Sequence, residues 1–361
     1  MNRRKFLTTT CSLMLTSTLS KGLLADDKIS LKRIASKKNI GFGTAVGKEI
    51  YRNARYSNLV NLHCASLTPE DSFKWHQLMP YRNNYSFDES DRLYDYCLQN
   101  NFELRGHALI FEKSMRRWLK QCGCSLETDI QRFISTITAR YPRIVSWDLF
   151  NEIVDHRGYK GWLRKDTLFE KLGASYLTDV ARYTHEINPN YELVINEWVG
   201  PYSDGYFRSR RNAMLKMLEA FKNMDLPINV FGIQSHLNFA KKDYDRRAWQ
   251  YFCGEIRDLG YDIKITEIDL SMQGKDRLAN NESTVLKYTT QYLEDTLAQG
   301  NVKDIICWGL TDAYAYSMRA PDWNKVTYGA TPFDSSFEFN ILGKALVSAL
   351  ENAPNYASVS A

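Results

Sequence analysis

Apolar residues along this chain fall into two alternating patterns. Eight short runs, 39–46, 59–70, 102–111, 144–152, 191–198, 229–237, 264–270 and 304–312, are mostly rich in β-branched and aromatic residues and apolar on both alternations. A strand reads that way when both of its faces are covered, as parallel strands are inside an α/β fold. Between the runs, apolar positions recur at helical spacing, as at Leu215, Leu218 and Phe221, or at Tyr288, Tyr292 and Leu297. Eight strands alternating with helices predict a single-domain (β/α)8 barrel of the α/β class. An open doubly wound sheet would carry a glycine-rich phosphate loop after its first strand, and Gly41 and Gly43 alone do not make one.

The length of 361 residues suits one such barrel with insertions. No Ser/Thr/Pro-rich linker divides the chain after Asp26, and no apolar run reaches the roughly 18 residues of a membrane span, so no membrane anchor is expected in the mature form. Residues 1–25 stand apart. Arg3, Arg4 and Lys5 precede a modest apolar stretch ending at Leu24 and Ala25, which predicts an export signal. Arg3-Arg4 followed by Phe6-Leu7 resembles a twin-arginine signal, with the ordinary Sec route as the alternative. The expected mature domain is 26–361, periplasmic or extracellular and monomeric.

Of seven cysteines, Cys11 falls in this leader. Export permits disulfides, but spacing does not assign pairs. Cys64 and Cys307 lie in apolar runs and read as buried thiols, while Cys122 and Cys124 alone are too few for a zinc site. No His-x-His or His-Glu-x-x-His spacing occurs, so neither a catalytic metal nor another cofactor is expected. The net charge of +5 is spread over interleaved acids and bases, unlike a nucleic-acid footprint. A mild attraction to an anionic polymer remains.

In a (β/α)8 barrel, reactive groups sit at the C-terminal ends of the strands. The runs end in Glu70, His107, Asn151 and Glu152, Asn196 and Glu197, Gln234 and His236, Glu267 and Asp269, and Trp308 with Asp312. Two carboxyl groups facing one another, one to give a proton and one to attack or to activate water, are the minimum equipment for cleaving a glycosidic bond, and Glu152 and Glu267 are the candidates.

The chain resembles glycoside hydrolase family 10, the endo-β-1,4-xylanase family. The resemblance is carried by Leu67-Thr-Pro-Glu70 with Lys74-Trp75, Tyr85-Ser-Phe87 with Asp91, Arg105-Gly-His107, Trp147-Asp148 with Asn151-Glu152, Gln234-Ser-His236, Thr266-Glu267-Ile-Asp269, and Trp308-Gly309 with Asp312. It implies a retaining endo-acting enzyme that cleaves a β-1,4-linked, xylan-type polysaccharide by double displacement, with Glu152 as acid/base and Glu267 as nucleophile. Glu152 would hold a proton in the resting enzyme, favoured by partial burial beside negative Glu267. The resemblance further implies that His236, oriented by Asp269, keeps Glu267 ionised and that Asn151 binds the sugar 2-hydroxyl. Glu70, Lys74, His107, Gln234 and Trp308 are expected to bind substrate or support the site, Trp308 as a sugar platform.

Departures concentrate around the glycone side. Phe111-Glu-Lys-Ser114 stands where the family has Trp-His-Ser-Gln, Asp71 follows Glu70 in place of Asn, Ala315-Tyr316 replaces Ser-Trp, Glu197 replaces Asp, and no Lys-Pro-Ala follows Asp334. Two alternatives therefore stand beside xylan: the same mechanism on another β-linked, possibly acidic bacterial exopolysaccharide, and a non-catalytic polysaccharide-binding barrel.

Overall fold

The computed structural model describes residues 29–119, 125–239, 242–271, 282–316 and 329–356. The expected leader, Cys122 and Cys124 lie outside them. Among the described residues ten strands occur: β1 (Gly41–Val46), β2 (Ser66–Pro69), β3 (Glu103–Leu104), β4 (Ser146–Asn151), β5 (Val154–Tyr159), β6 (Glu192–Glu197), β7 (Val230–Ile233), β8 (His236–Leu237), β9 (Asp262–Leu270) and β10 (Val302–Cys307). Eight pair side by side in the order β3-β2-β1-β10-β9-β7-β6-β4, and every one of these pairings is parallel. The ring is completed between its end strands by parallel bridges joining Gly106 to Trp147 and Ile110 to Phe150. Glycine is required at the first of these bridges, because a Cβ on Gly106 would collide with the Trp147 indole. The result is the (β/α)8 barrel expected from the pattern. β8 extends the sixth stave and pairs with the end of β9.

The staves are buried along nearly their whole length, as the doubly apolar runs require. Helices Gly205–Asn223 and Glu282–Leu297 turn Leu218, Phe221, Tyr292 and Leu297 into the core. Three of the expected runs are longer than their strands, and in 102–111 only Glu103–Leu104 is regular strand. Residues 59–63 end the helix Ala54–His63, whose first turn is capped by the Asn53 side chain, so Cys64 closes a helix and does not lie in a strand. After Cys307 the last run leaves regular pairing, and Trp308 to Asp312 form turns at the barrel mouth. The excursion of β5, bridged back to Leu163, has no counterpart in the apolar pattern because most of its side chains are partly exposed. Cys64, Cys97, Cys253 and Cys307 are buried free thiols, and burial pushes the Cys97 thiol up to about 12.

At the floor of the barrel, Lys264 of β9 is buried against Glu192 and Asp304, the latter at 2.7 Å. Burial works against its charge, but the two carboxylates outweigh it and hold the ammonium above its ordinary range. Removing one partner of such a set leaves uncompensated buried charge. Lys264→Ala is therefore expected to lower unfolding free energy by about 3 kcal/mol, read from urea denaturation. A cleft of about 290 Å³ lined by His185, Tyr191, Lys222 and Tyr261 also lies at this N-terminal end, away from the carboxylates above.

Candidate active site

At the C-terminal mouth, β9 and β4 bring Glu267 and Glu152 to the same network. Asn196, at the end of β6, connects them: its carbonyl accepts from the Glu152 N–H at 3.0 Å, and its side-chain amide donates to Glu267 Oε1 at 2.6 Å. The same amide donates to Asn151 Oδ1 at 2.8 Å, and the Thr266 hydroxyl donates to Asn196 Oδ1, which fixes the flip of the Asn196 side chain. Glu152 takes a left-handed backbone conformation, φ +58°, directly after the last stave residue. A non-glycine residue there costs about 1 kcal/mol or more and persists where surrounding bonds impose it, a pattern concentrated at functional sites.

Glu267 is nearly fully buried, which by itself would raise its pKa. The His236 hydrogen bond, the charges of His107 and His236, and the Asn196 amide reverse that effect and bring it down to about 2. His236 Nε2 donates to Glu267 Oε2 at 3.2 Å and Nδ1 donates to Asp269 Oδ1 at 2.8 Å. Burial opposes the imidazolium, but these two carboxylates outweigh it and hold His236 well above its ordinary range. The chemical outcome is an ionised carboxylate with little solvation, braced by a cation and an amide. That is how an attacking group is kept ready.

Glu152 is less enclosed than Glu267. Its side chain is one-fifth exposed and its Oε2 meets the ammonium of Lys113. The cation comes from the helix Glu112–Leu119.

His107 donates Nδ1 to Asp148 at 2.7 Å, and Arg105 pairs with the other oxygen of the same fully buried carboxylate. This orients the imidazole beside the Trp308 ring, 5.4 Å between centroids. Lys74 lies 5.9 Å over the Trp308 ring and 3.7 Å from Asp71. Glu70 is buried at the end of the second stave, and Gln234 is buried with its N–H on the Glu197 carbonyl. Trp308 is only 7% exposed, so little of its ring is open as a platform. Asp312 accepts from the N–H groups of Gly329 and Thr331, the Thr331 hydroxyl and the Asn340 amide. It organises the 329–340 loop.

Sequence reasoning gave no role to Lys113, Asp148 or Arg210. Arg210, from the helix Gly205–Asn223, pairs with Glu197 at 3.3 Å, while Glu197 Oε1 accepts the Val154 N–H at 2.8 Å. Together they pin the chain two residues beyond Glu152. Burial pushes Glu197 up to about 7, against the pull of Arg210 and the Val154 N–H. A folded-state value above the unfolded one means the native protein binds the extra proton, so stability from this group falls as pH rises from about 4.5 to about 7. Glu197→Gln is expected to flatten the decline of melting temperature between pH 5 and pH 8; an unchanged slope would show that Glu197 does not carry it. Among the described residues no group of three His, Cys, Asp or Glu is placed to hold a metal ion.

Comparison with known proteins agrees with this geometry. The family model described as glycosyl hydrolase family 10 matches residues 30–349. Endo-1,4-beta-xylanase B of Thermotoga neapolitana is 23% identical over 316 residues, covering 86% of this chain and 88% of that protein. Exoglucanase XynX of Acetivibrio thermocellus is 26% identical over 278 residues, 71% of this chain, and the match spans only 24% of that much longer protein. Among solved structures, native xylanase 10B from Thermotoga maritima superposes with a TM-score of 0.79 at 22% identity, covering 90% of this chain and 98% of that one. Xylanase 10B from Thermotoga petrophila RKU-1, solved with xylobiose, gives the same TM-score, identity and coverage. With the matched span running across nearly the entire barrel, the chain belongs to glycosyl hydrolase family 10.

Proposed function

We propose that this protein is an endo-acting glycoside hydrolase that cleaves β-1,4-linked, xylan-type polysaccharide with retention of anomeric configuration. The observation that carries the reading is Glu267, buried yet ionised, braced by His236 and Asn196, with Glu152 tied to the same asparagine. Glu267 attacks the anomeric carbon while Glu152 gives its proton to the departing glycosidic oxygen, leaving an ester to the sugar and a carboxylate at Glu152. Glu152 then takes a proton from water, the water oxygen bonds to the anomeric carbon, and Glu267 leaves as a carboxylate. His236, already cationic, stabilises that leaving carboxylate without titrating. Asn151, held by Asn196, is placed to bind the 2-hydroxyl as charge develops on the sugar.

The relatives named xylanases support the polymer class, and residues 1–25 support export to the periplasm or beyond. Release of reducing ends from xylan, glucuronoxylan and mixed-linkage glucan tests the reading. Viscosity should fall ahead of reducing sugar on a xylan-type polymer, as internal cleavage requires. Failure to release ends from any β-1,4-xylan would overturn it.

A further inference from the structure

The Lys113 ammonium sits on the carboxyl group that gives a proton in the first step and regains one in the second. We propose that Lys113 is a substrate-carboxylate reader: the preferred substrate carries a uronate beside the scissile bond, and that carboxylate takes Lys113 away from Glu152. The inference rests on the assignment of Glu152 as acid/base and names the substrate feature that this chain's own residues select.

Three observations carry it. First, Lys113 contacts Glu152 Oε2 directly, and its side chain is 44% exposed, so it has room to reach a ligand. Second, Lys113 stands on the first turn of the helix Glu112–Leu119, whose start is stapled at the site by Phe111, 6.4 Å from the His107 ring. The Lys113 ammonium also lies 5.9 Å from the Phe111 ring. Third, the charge count changes during the reaction. A proton-bearing Glu152 is neutral and no longer satisfies the ammonium, so neutral substrate leaves a cation facing the bond being broken. A lysine in that position disfavours the proton-bearing form of Glu152 that the first step needs, unless another anion engages it.

The chemistry of a 4-linked uronic acid fits. Its carboxylate hangs from C5, next to the C4 that bears the scissile oxygen when the residue lies on the leaving side. A group there is within reach of an ammonium one hydrogen bond from the acid. A uronate carried as a side chain on a neighbouring sugar offers the same charge from a different attachment, so both are compared.

Binding is measured by calorimetry to the Glu267→Ala protein, which does not turn substrate over. The probes are a β-1,4-linked oligosaccharide with glucuronate in its main chain, a xylo-oligosaccharide with a glucuronate side chain, and each after reduction of the carboxyl to the alcohol. At least one acidic probe is expected to bind about tenfold more tightly than its reduced form, and the ratio should fall to near one in Glu267→Ala/Lys113→Met. Lys113 is exposed, so the change should not disturb folding, which circular dichroism checks. Equal binding of acidic and reduced forms, a preference that survives Lys113→Met, or no binding of any probe would overturn the proposal. Turnover by the wild-type chain reports separately: cleavage of the reduced probes as readily as the acidic ones sinks the uronate preference and leaves the glycosidase reading standing, whereas acid-selective binding without cleavage of any probe sinks the glycosidase.

Discussion

Glu267→Ala is expected to lower kcat on xylan-type substrates by at least about 10⁴-fold while leaving the circular dichroism spectrum unchanged. The side chain is held as a buried, desolvated anion, with His236 and the Asn196 amide both pointing at it. Alanine leaves a space the size of a carboxylate next to those donors. A small anion such as azide fits that space and those charges, so azide should restore part of the rate. Because it would attack from the face Glu267 occupied, the product should be the glycosyl azide of inverted configuration. Rescue with retained configuration would assign the attacking role to another residue.

Glu152→Ala should show the complementary behaviour. On natural leaving groups the loss is expected to be about 10²- to 10⁴-fold, the usual contribution of a positioned proton donor. With a dinitrophenyl leaving group, whose oxygen needs no proton, the bond-breaking step should fall far less. Deglycosylation should become rate-limiting, since the base that activates water is gone, and a burst of dinitrophenol should appear. Azide should then speed turnover and yield the glycosyl azide with retained configuration. Equal losses on activated and unactivated substrates would remove Glu152 from the proton-transfer role.

How far the sequence foretells this molecule depends on the range of the contacts. The staves were legible because their burial is local and two-faced: 144–152 and 191–198 read as apolar on both alternations, and β4 and β6 lie within them. The run 59–70 spans two elements because an apolar helix end, Leu59 to His63, is separated from a buried strand, Ser66–Pro69, by only Cys64 and Ala65. At the mouth, the placement of Glu152, Glu267, His236 and Asp269 followed from their positions at strand ends. Beyond the His236 contacts with Asp269 and Glu267, the partners at the mouth did not. Lys113 meets Glu152 across 39 residues of chain, Asn196 meets Glu267 across 71, and His107 meets Asp148 across 41. No periodicity encodes such pairs; only closing the barrel brings them together. Asp312 shows the converse: a carboxylate at a strand end reads as a site residue until the loop that it caps is seen to consume its acceptors.

The account depends on a covalent glycosyl intermediate at Glu267, and the configuration of the first-formed sugar reports it most directly. Proton NMR during the first minutes of hydrolysis, before mutarotation, is predicted to show the new reducing end as the β-anomer, converting later to the α/β mixture. First appearance of the α-anomer would mean a single inversion by water, and the roles assigned to Glu152 and Glu267 would not stand.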